Sequence, residues 1–254
     1  MSYATVLRDG IKDPEVWQLR VDLAAAFRLA VRMDWHESVG NHFSAAVSAD
    51  GTKFLLNPRW RHFSLICASD LLLLDSLDEA TMQGSEGPDP SAWCIHGRIH
   101  ARKREARCVL HVHPPYATAL AALADPSLKS VDQCTARFHK RIAIDRAFSG
   151  IADQQAEGDR LVAVLGNFRR LLMGNHGVLV TGDTVAEAFE DLYMLERASR
   201  TLVVAYSTGQ PLNVMPDALA ELTARGWEDY RGMAAAHFSD LKRLLDRDDP
   251  SYAT

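Results

Sequence analysis

Cysteine is scarce in this chain and never paired. Only Cys67, Cys94, Cys108 and Cys134 occur among 254 residues. They show no Cys-x-x-Cys spacing and lie in apolar surroundings, which excludes a disulfide framework or cysteine zinc ribbon and fits reduced core thiols in a cytoplasmic protein. Long apolar runs are also missing. No stretch approaches the length that crosses a bilayer, and residues 1–10 contain no apolar leader segment. Positive charge is in deficit, with 28 Lys and Arg against 33 Asp and Glu for a net charge of -5. Neither phosphodiester backbones nor anionic membranes are therefore attracted at long range. No Gly-rich phosphate loop, dinucleotide fingerprint, Ser/His/Asp signature, internal repeat or low-complexity linker is present. The expected partner is a small molecule, with no role for nucleic acid or membrane.

The chain does have enough apolar residues, 47% of 254, to bury a core without staples. It reads as one domain over 1–254, with a core at about 21–205 and a helical tail at about 212–247. Asp13-Pro14-Glu15 is a helix start and leads an amphipathic run to about Met33. Strands at 41–47 and 53–57 flank the turn dipeptide Asp50-Gly51, and 70–75 is a third strand, so the early sheet is antiparallel. Helices are expected at 91–105, 116–124 and 153–165, and strands at 108–113 and 142–144. A strand pair follows at 171–181. Thr184 and Glu187 form a capping-box pattern that opens a helix to about Ser207, and the helical tail runs from about Pro216 to Leu245. Helices flanking a mixed sheet make an α/β domain with strongly antiparallel pairing.

The most informative residues are His111 and His113 in Leu110-His111-Val112-His113-Pro114-Pro115-Tyr116, together with His176 in Gly174-Asn175-His176-Gly177. Residues two apart on a strand project to one side, so the two imidazoles can share a divalent ion with a third histidine. The alternative is a half-buried strand with two polar residues on its wet face. Strand-terminal position and the tight glycine turn around His176 favour the metal reading.

With Gly40-Asn41-His42-Phe43-Ser44, Arg137-Phe138, Ala156-Glu157-Gly158 and Asn175 to Gly182, these motifs resemble the class II aldolase/adducin family over about Val21 to Ala205. The resemblance implies a three-layer α/β/α sandwich with a mixed, largely antiparallel sheet. It also implies a homotetramer with sites between subunits, and a divalent ion on His111, His113 and His176. Zinc is expected first, with Fe(II), Mn or Co as alternatives. Sugar-phosphate aldolases of this family carry a base glutamate in a Ser-Ser-Glu-Trp run, where this chain has Pro90-Ser91-Ala92-Trp93. Ala92 accepts no proton. Asn57-Pro58-Arg59-Trp60-Arg61 likewise replaces the family's small phosphate-binding loop. Two guanidinium groups match a carboxylate, so Arg59 and Arg61 join Asn41 and Ser91 as expected substrate contacts; the alternative is solvated loop charge.

A cation on three neutral imidazoles is an electron sink. Aldol chemistry needs a base, whereas decarboxylation reaches an enolate by losing carbon dioxide. Losing the glutamate therefore penalises decarboxylation least, and some relatives are decarboxylases of hydroxylated aromatic or keto acids. The expectation is a metal-dependent carbon–carbon lyase on a small hydroxy, keto or aromatic acid. A three-histidine Fe(II) oxygenase and a non-catalytic adducin-like interaction domain are the alternatives. His139 stands near where relatives carry a tyrosine acting from a neighbouring subunit and is the candidate proton donor; a surface histidine is the alternative. His96 and His100 share a helix face and His42 adjoins Asn41. Each could approach the site or simply pack. Glu157 reads as a helix N-terminal acid.

Overall fold

Asp13 opens the first helix, α1 (Pro14–Arg32), by accepting hydrogen bonds from the amides of Glu15 and Val16, with proline at its start and Arg32 in its last turn. The computed structural model describes residues 13–78, 81, 87–230 and 232–254. Residues 1–10, read above for a leader, lie outside them.

Seven strands follow: β1 (His42–Ala46), β2 (Lys53–Leu56), β3 (Leu72–Asp75), β4 (Cys108–Val112), β5 (Ala143–Asp145), β6 (Arg170–Met173) and β7 (Gly177–Gly182). They form one sheet in the order β3-β2-β1-β4-β7-β6-β5. Every pairing is antiparallel except β5 with β6. Gly51 in the β1–β2 turn adopts φ +80°, and a Cβ there would stand 2.3 Å from the His100 carbonyl oxygen. Glycine is required at this point on both counts.

Side chains alternate across the sheet into two layers. Leu110, Val112, Leu172, Val178 and Val180 join α1, α6 (Val185–Ser207) and α8 (Met233–Asp248) in the larger core. Val109, Leu171, Met173 and Leu179 face the opposite way, against α2 (Pro90–Arg102) and α5 (Gln155–Leu165). The result is the expected α/β/α sandwich, and His111 falls on the α2 side of β4.

Boundaries differ in detail from the sequence reading. The tail is two helices, α7 (Asp217–Asp229) and α8, with Gly232 in the left-handed region at φ +83° before α8. The short helix α4 (Gln133–Ala136) has no hydrophobic period to announce it. Before it, α3 (Pro115–Ala121) starts at the second proline of the His-x-His-Pro-Pro run. Half of the capping box forms: Thr184 accepts from the Glu187 amide at 3.1 Å, while Glu187 Oε2 accepts from the Asp183 amide at 3.3 Å, one residue early. Among the described residues no helix is long and apolar enough to cross a membrane.

Candidate metal centre

The end of β4 and the β6–β7 turn bring His111, His113 and His176 together, with one ring nitrogen of each lying within 4.8 Å of the others. Ring centroids are 5.1 Å apart for His111–His113, 4.8 Å for His111–His176 and 4.7 Å for His113–His176. Three nitrogens bound tetrahedrally at about 2.0–2.1 Å from zinc lie roughly 3.3 Å from one another, so modest ring rotations complete the set.

Each imidazole is held by its backbone or by a partner. His111 Nδ1 donates to the Val178 carbonyl at 3.0 Å, which directs Nε2 to the cluster. His113 Nδ1 pairs with the Glu37 carboxylate. The other nitrogen, Nε2, is buried and has no hydrogen-bond partner among the described residues. A buried nitrogen left unpaired is costly unless a ligand satisfies it, and an oriented histidine with a carboxylate behind it is the usual environment of a metal ligand. His176 sits in a pinned turn: Gly174 N–H donates to Asp145 O at 2.8 Å, Asn175 N–H to Ala121 O at 3.1 Å and His176 N–H to Met173 O at 3.1 Å. Asn175 reaches φ +55°, a conformation asparagine tolerates. A Cβ on Gly177 would lie 2.4 Å from His113 Cδ2, so the ring lies directly against this glycine.

Electrostatics keep the donors available. Burial pushes His111 well below the usual histidine range, helped by repulsion from His42, His176 and His113. Burial and His113 push His176 down to about 4. Both are neutral at pH 7, with lone pairs free for a cation.

The triad forms one wall of a cavity of about 370 Å³, lined also by Glu37, Asn41, His42, Ser91, Ile95, Asn175 and the 148–152 loop. Asn41 and Ser91 are thus among the residues that line the cavity. The Asn41 Oδ1 accepts the Glu37 amide at 2.9 Å, fixing the turn that aims Glu37 at His113. Arg59 and Arg61 do not line the cavity. Arg59 lies over the Trp60 ring at 4.0 Å and stands 3.9 Å from Asp89, and Arg61 stands 3.8 Å from Asp70. Within the chain His139 faces elsewhere, toward Ser130 at 3.3 Å and Asp217 at 3.1 Å. Ala92 does not open a space beside the triad. The start of α2 turns Ser91 and Ile95, four residues apart, to the cavity. Ala92 packs instead into a cluster with Phe54, Leu56 and Trp93.

Behind the triad, the His42 ring lies 4.9 Å from that of His111, centroid to centroid and tilted by 31°. Its Nδ1 lies 2.8 Å from His96 Nε2, and its Nε2 lies 3.3 Å from Ser91 Oγ. Ser44 Oγ contacts both His96 Nδ1 and His100 Nε2, the latter at 2.7 Å. Sequence reasoning placed His96 and His100 on one face but not this connection, which depends on Ser44 pointing inward from β1. Glu37 was missed altogether, its only signal being its place just before Gly40-Asn41.

Comparison with known proteins identifies the family. The model of the class II aldolase and adducin N-terminal domain matches residues 21–203. An aldolase II superfamily protein from Pseudomonas syringae superposes with a TM-score of 0.86 at 32% identity, covering 95% of this chain and 97% of that one. A Caulobacter vibrioides protein, provisionally named an aldolase class 2 protein, is 32% identical over 93% of this chain and 92% of its own length. The decarboxylase NovR of Streptomyces niveus is 27% identical, covering 78% of this chain and 72% of that protein. The chain belongs to the class II aldolase and adducin family.

Proposed function

We propose that the chain is a metal-dependent carbon–carbon lyase that decarboxylates a small hydroxylated or keto acid, with His111, His113 and His176 holding a divalent cation, zinc first among the candidates. The observation that carries this reading is the buried, unpartnered His113 Nε2 beside two further neutral imidazoles at the wall of a cavity. Held by these three residues, a divalent cation would supply Lewis-acid polarisation of substrate oxygen. Glu37 holds the His113 ring and the Val178 carbonyl holds the His111 ring, so the donor set is built before anything binds. Among the described residues that line the cavity Glu37 is the only carboxylate, and it is engaged with His113. Among the described residues no free carboxylate base therefore faces the cavity, a condition that loss of carbon dioxide tolerates and proton abstraction from carbon does not. Ile95, Phe148, Ile151 and Ala152 give the cavity an apolar side. The similarity to the decarboxylase NovR points the same way.

The test is metal analysis of purified protein combined with carbon dioxide release from a panel of hydroxy and keto acids. One bound divalent ion per chain, lost in His113→Ala together with turnover, is the expected result. A wild-type protein that binds no divalent ion overturns the lyase reading and leaves an interaction domain.

Assembly into a homotetramer belongs to the same proposal. His139 has no role toward the cavity of its own chain, and the cavity rim carries Phe148, 54% exposed, and Ile151, 81% exposed. A neighbouring subunit would cover that rim and bring its His139 to the site as proton donor.

A further inference from the structure

A single hydrogen-bonded file runs from the cavity wall into the interior between β1 and α2. It passes from Asp89 Oδ1 to Ser91 Oγ at 2.6 Å, to His42 Nε2 at 3.3 Å, and from His42 Nδ1 to His96 Nε2 at 2.8 Å. It continues from His96 Nδ1 to Ser44 Oγ, from there to His100 Nε2 at 2.7 Å, and ends with His100 Nδ1 at 2.8 Å from the Ala106 carbonyl. Six contacts link five proton-bearing groups to one another and to the two ends, which are pure acceptors: a carboxylate and a backbone carbonyl. His96 and His100 have no exposed surface and His42 only 6%. Imidazoles so buried and paired with neutral groups are uncharged. Each neutral imidazole and each hydroxyl offers one proton. Five protons cannot fill six contacts, so one contact is left without a proton.

The carbonyl end fixes which one. A carbonyl only accepts, so His100 Nδ1 carries the proton and its Nε2 is bare. Ser44 then donates to His100 and accepts from His96 Nδ1, and His96 Nε2 accepts from His42 Nδ1. At the other end Ser91 donates to Asp89 across the short 2.6 Å contact. The vacancy falls between Ser91 Oγ and His42 Nε2, and at 3.3 Å this is the longest of the six contacts, as two facing lone pairs require.

We propose that this file locks His42 as the Nδ1–H tautomer, so that its bare Nε2 faces the cavity as a hydrogen-bond acceptor that selects a substrate carrying a hydroxyl, over its keto counterpart. This deepens the acid-lyase reading and rests on it for the identity of the ligand. His42 is the specificity residue; His96, Ser44 and His100 are positioning residues that act through it. A substrate hydroxyl supplies the sixth proton, whereas a keto oxygen would face a lone pair.

The decisive experiment is two-bond proton–nitrogen NMR on zinc-loaded protein labelled with ¹⁵N-histidine, without added ligand, assigned by single substitutions. The expected pattern is Nδ1–H with bare Nε2 for His42, His96 and His100. Nε2–H tautomers in these three, or a doubly protonated ring among them, overturn the proposal. Binding by calorimetry of mandelate against benzoylformate, which differ in hydroxyl and keto oxygen, is the second readout. Mandelate should bind about tenfold tighter to the wild type. Ser44→Ala should bring that ratio toward one, and Ser91→Ala, at the cavity wall and outside the core, should leave the tautomers unchanged. Equal affinities in the wild type overturn the proposal. If neither acid binds, the acid-lyase reading fails on its ligand class, while the ligand-free spectrum still decides the tautomers.

Discussion

At the scale of single residues the site depends on the atoms that hold the three histidines as much as on the histidines themselves. Gly177→Ala places a Cβ where His113 Cδ2 now lies at 2.4 Å, so the ring must turn away from the cluster. Metal affinity should fall roughly 10–100-fold, as for loss of an orienting partner, measured by competition with a chromogenic chelator. Glu37→Gln should weaken affinity in the same range by removing the negative charge behind His113, while the metal-free protein unfolds at nearly the same urea concentration because Glu37 is exposed. Affinity unchanged in both variants would mean that His113 is not a ligand. The three-histidine cluster was legible in the sequence because two-residue spacing and a glycine turn are local patterns. Glu37, 76 residues from His113, was not legible, since its role comes from a turn that Asn41 builds. Arg59 and Arg61 were read for their charge, and charge does not say which way a loop side chain points.

Elements were read more securely than their ends. Helices α1 and α6 carried caps and long periods, and the β1–β2 hairpin carried Asp50-Gly51, so all three stand close to where expected. The break before α8 was missed, since the periodicity of the tail resumes beyond the break and Gly232 by itself is a weak signal. The contact between α2 and α5 was invisible in sequence because it relies on the absence of a side chain. A Cβ on Gly158 would meet the Cys94 carbonyl oxygen at 2.2 Å and Arg98 Cγ at 2.8 Å. Gly158→Val should therefore push α5 off α2, costing about 3 kcal/mol in chemical denaturation. Because α2 carries Ser91 and His96, metal or ligand affinity should weaken with it. A variant as stable as the wild type would show that α5 can shift without loss.

The whole molecule stores uncharged histidines, and that sets its response to acid. Burial lowers His42 and His100 to about 3 and His176 to about 4, and holds His96 and His111 well below the usual value near 6.5. A group whose folded pKa lies below its unfolded value binds fewer protons when folded. Its contribution to stability is complete above about pH 6.5 and is lost as pH falls toward 4 and 3. Carboxylates held low, such as Asp50 and Glu221 at about 2, act in the same direction but only below about pH 4. The interval from pH 7 to pH 5 thus isolates the histidines. The urea midpoint of metal-free protein should drop between those two values, with most of the drop abolished only when several of these histidines are replaced together. A bound cation should steepen the dependence, since protons and metal compete for the same nitrogens. Assembly is separable from this. If a neighbouring subunit covers the cavity rim, light scattering at micromolar concentration should give a multiple of 28.1 kDa. Ile151→Asp would put a charge on the covered face and shift the mass toward a single chain. The same variant should leave metal content intact, because Ile151 is 81% exposed on the rim and is not one of the three histidines. A single-chain mass in the wild type would end the tetramer proposal. It would also leave His139 as a surface residue tied to Asp217, with no part in the reaction.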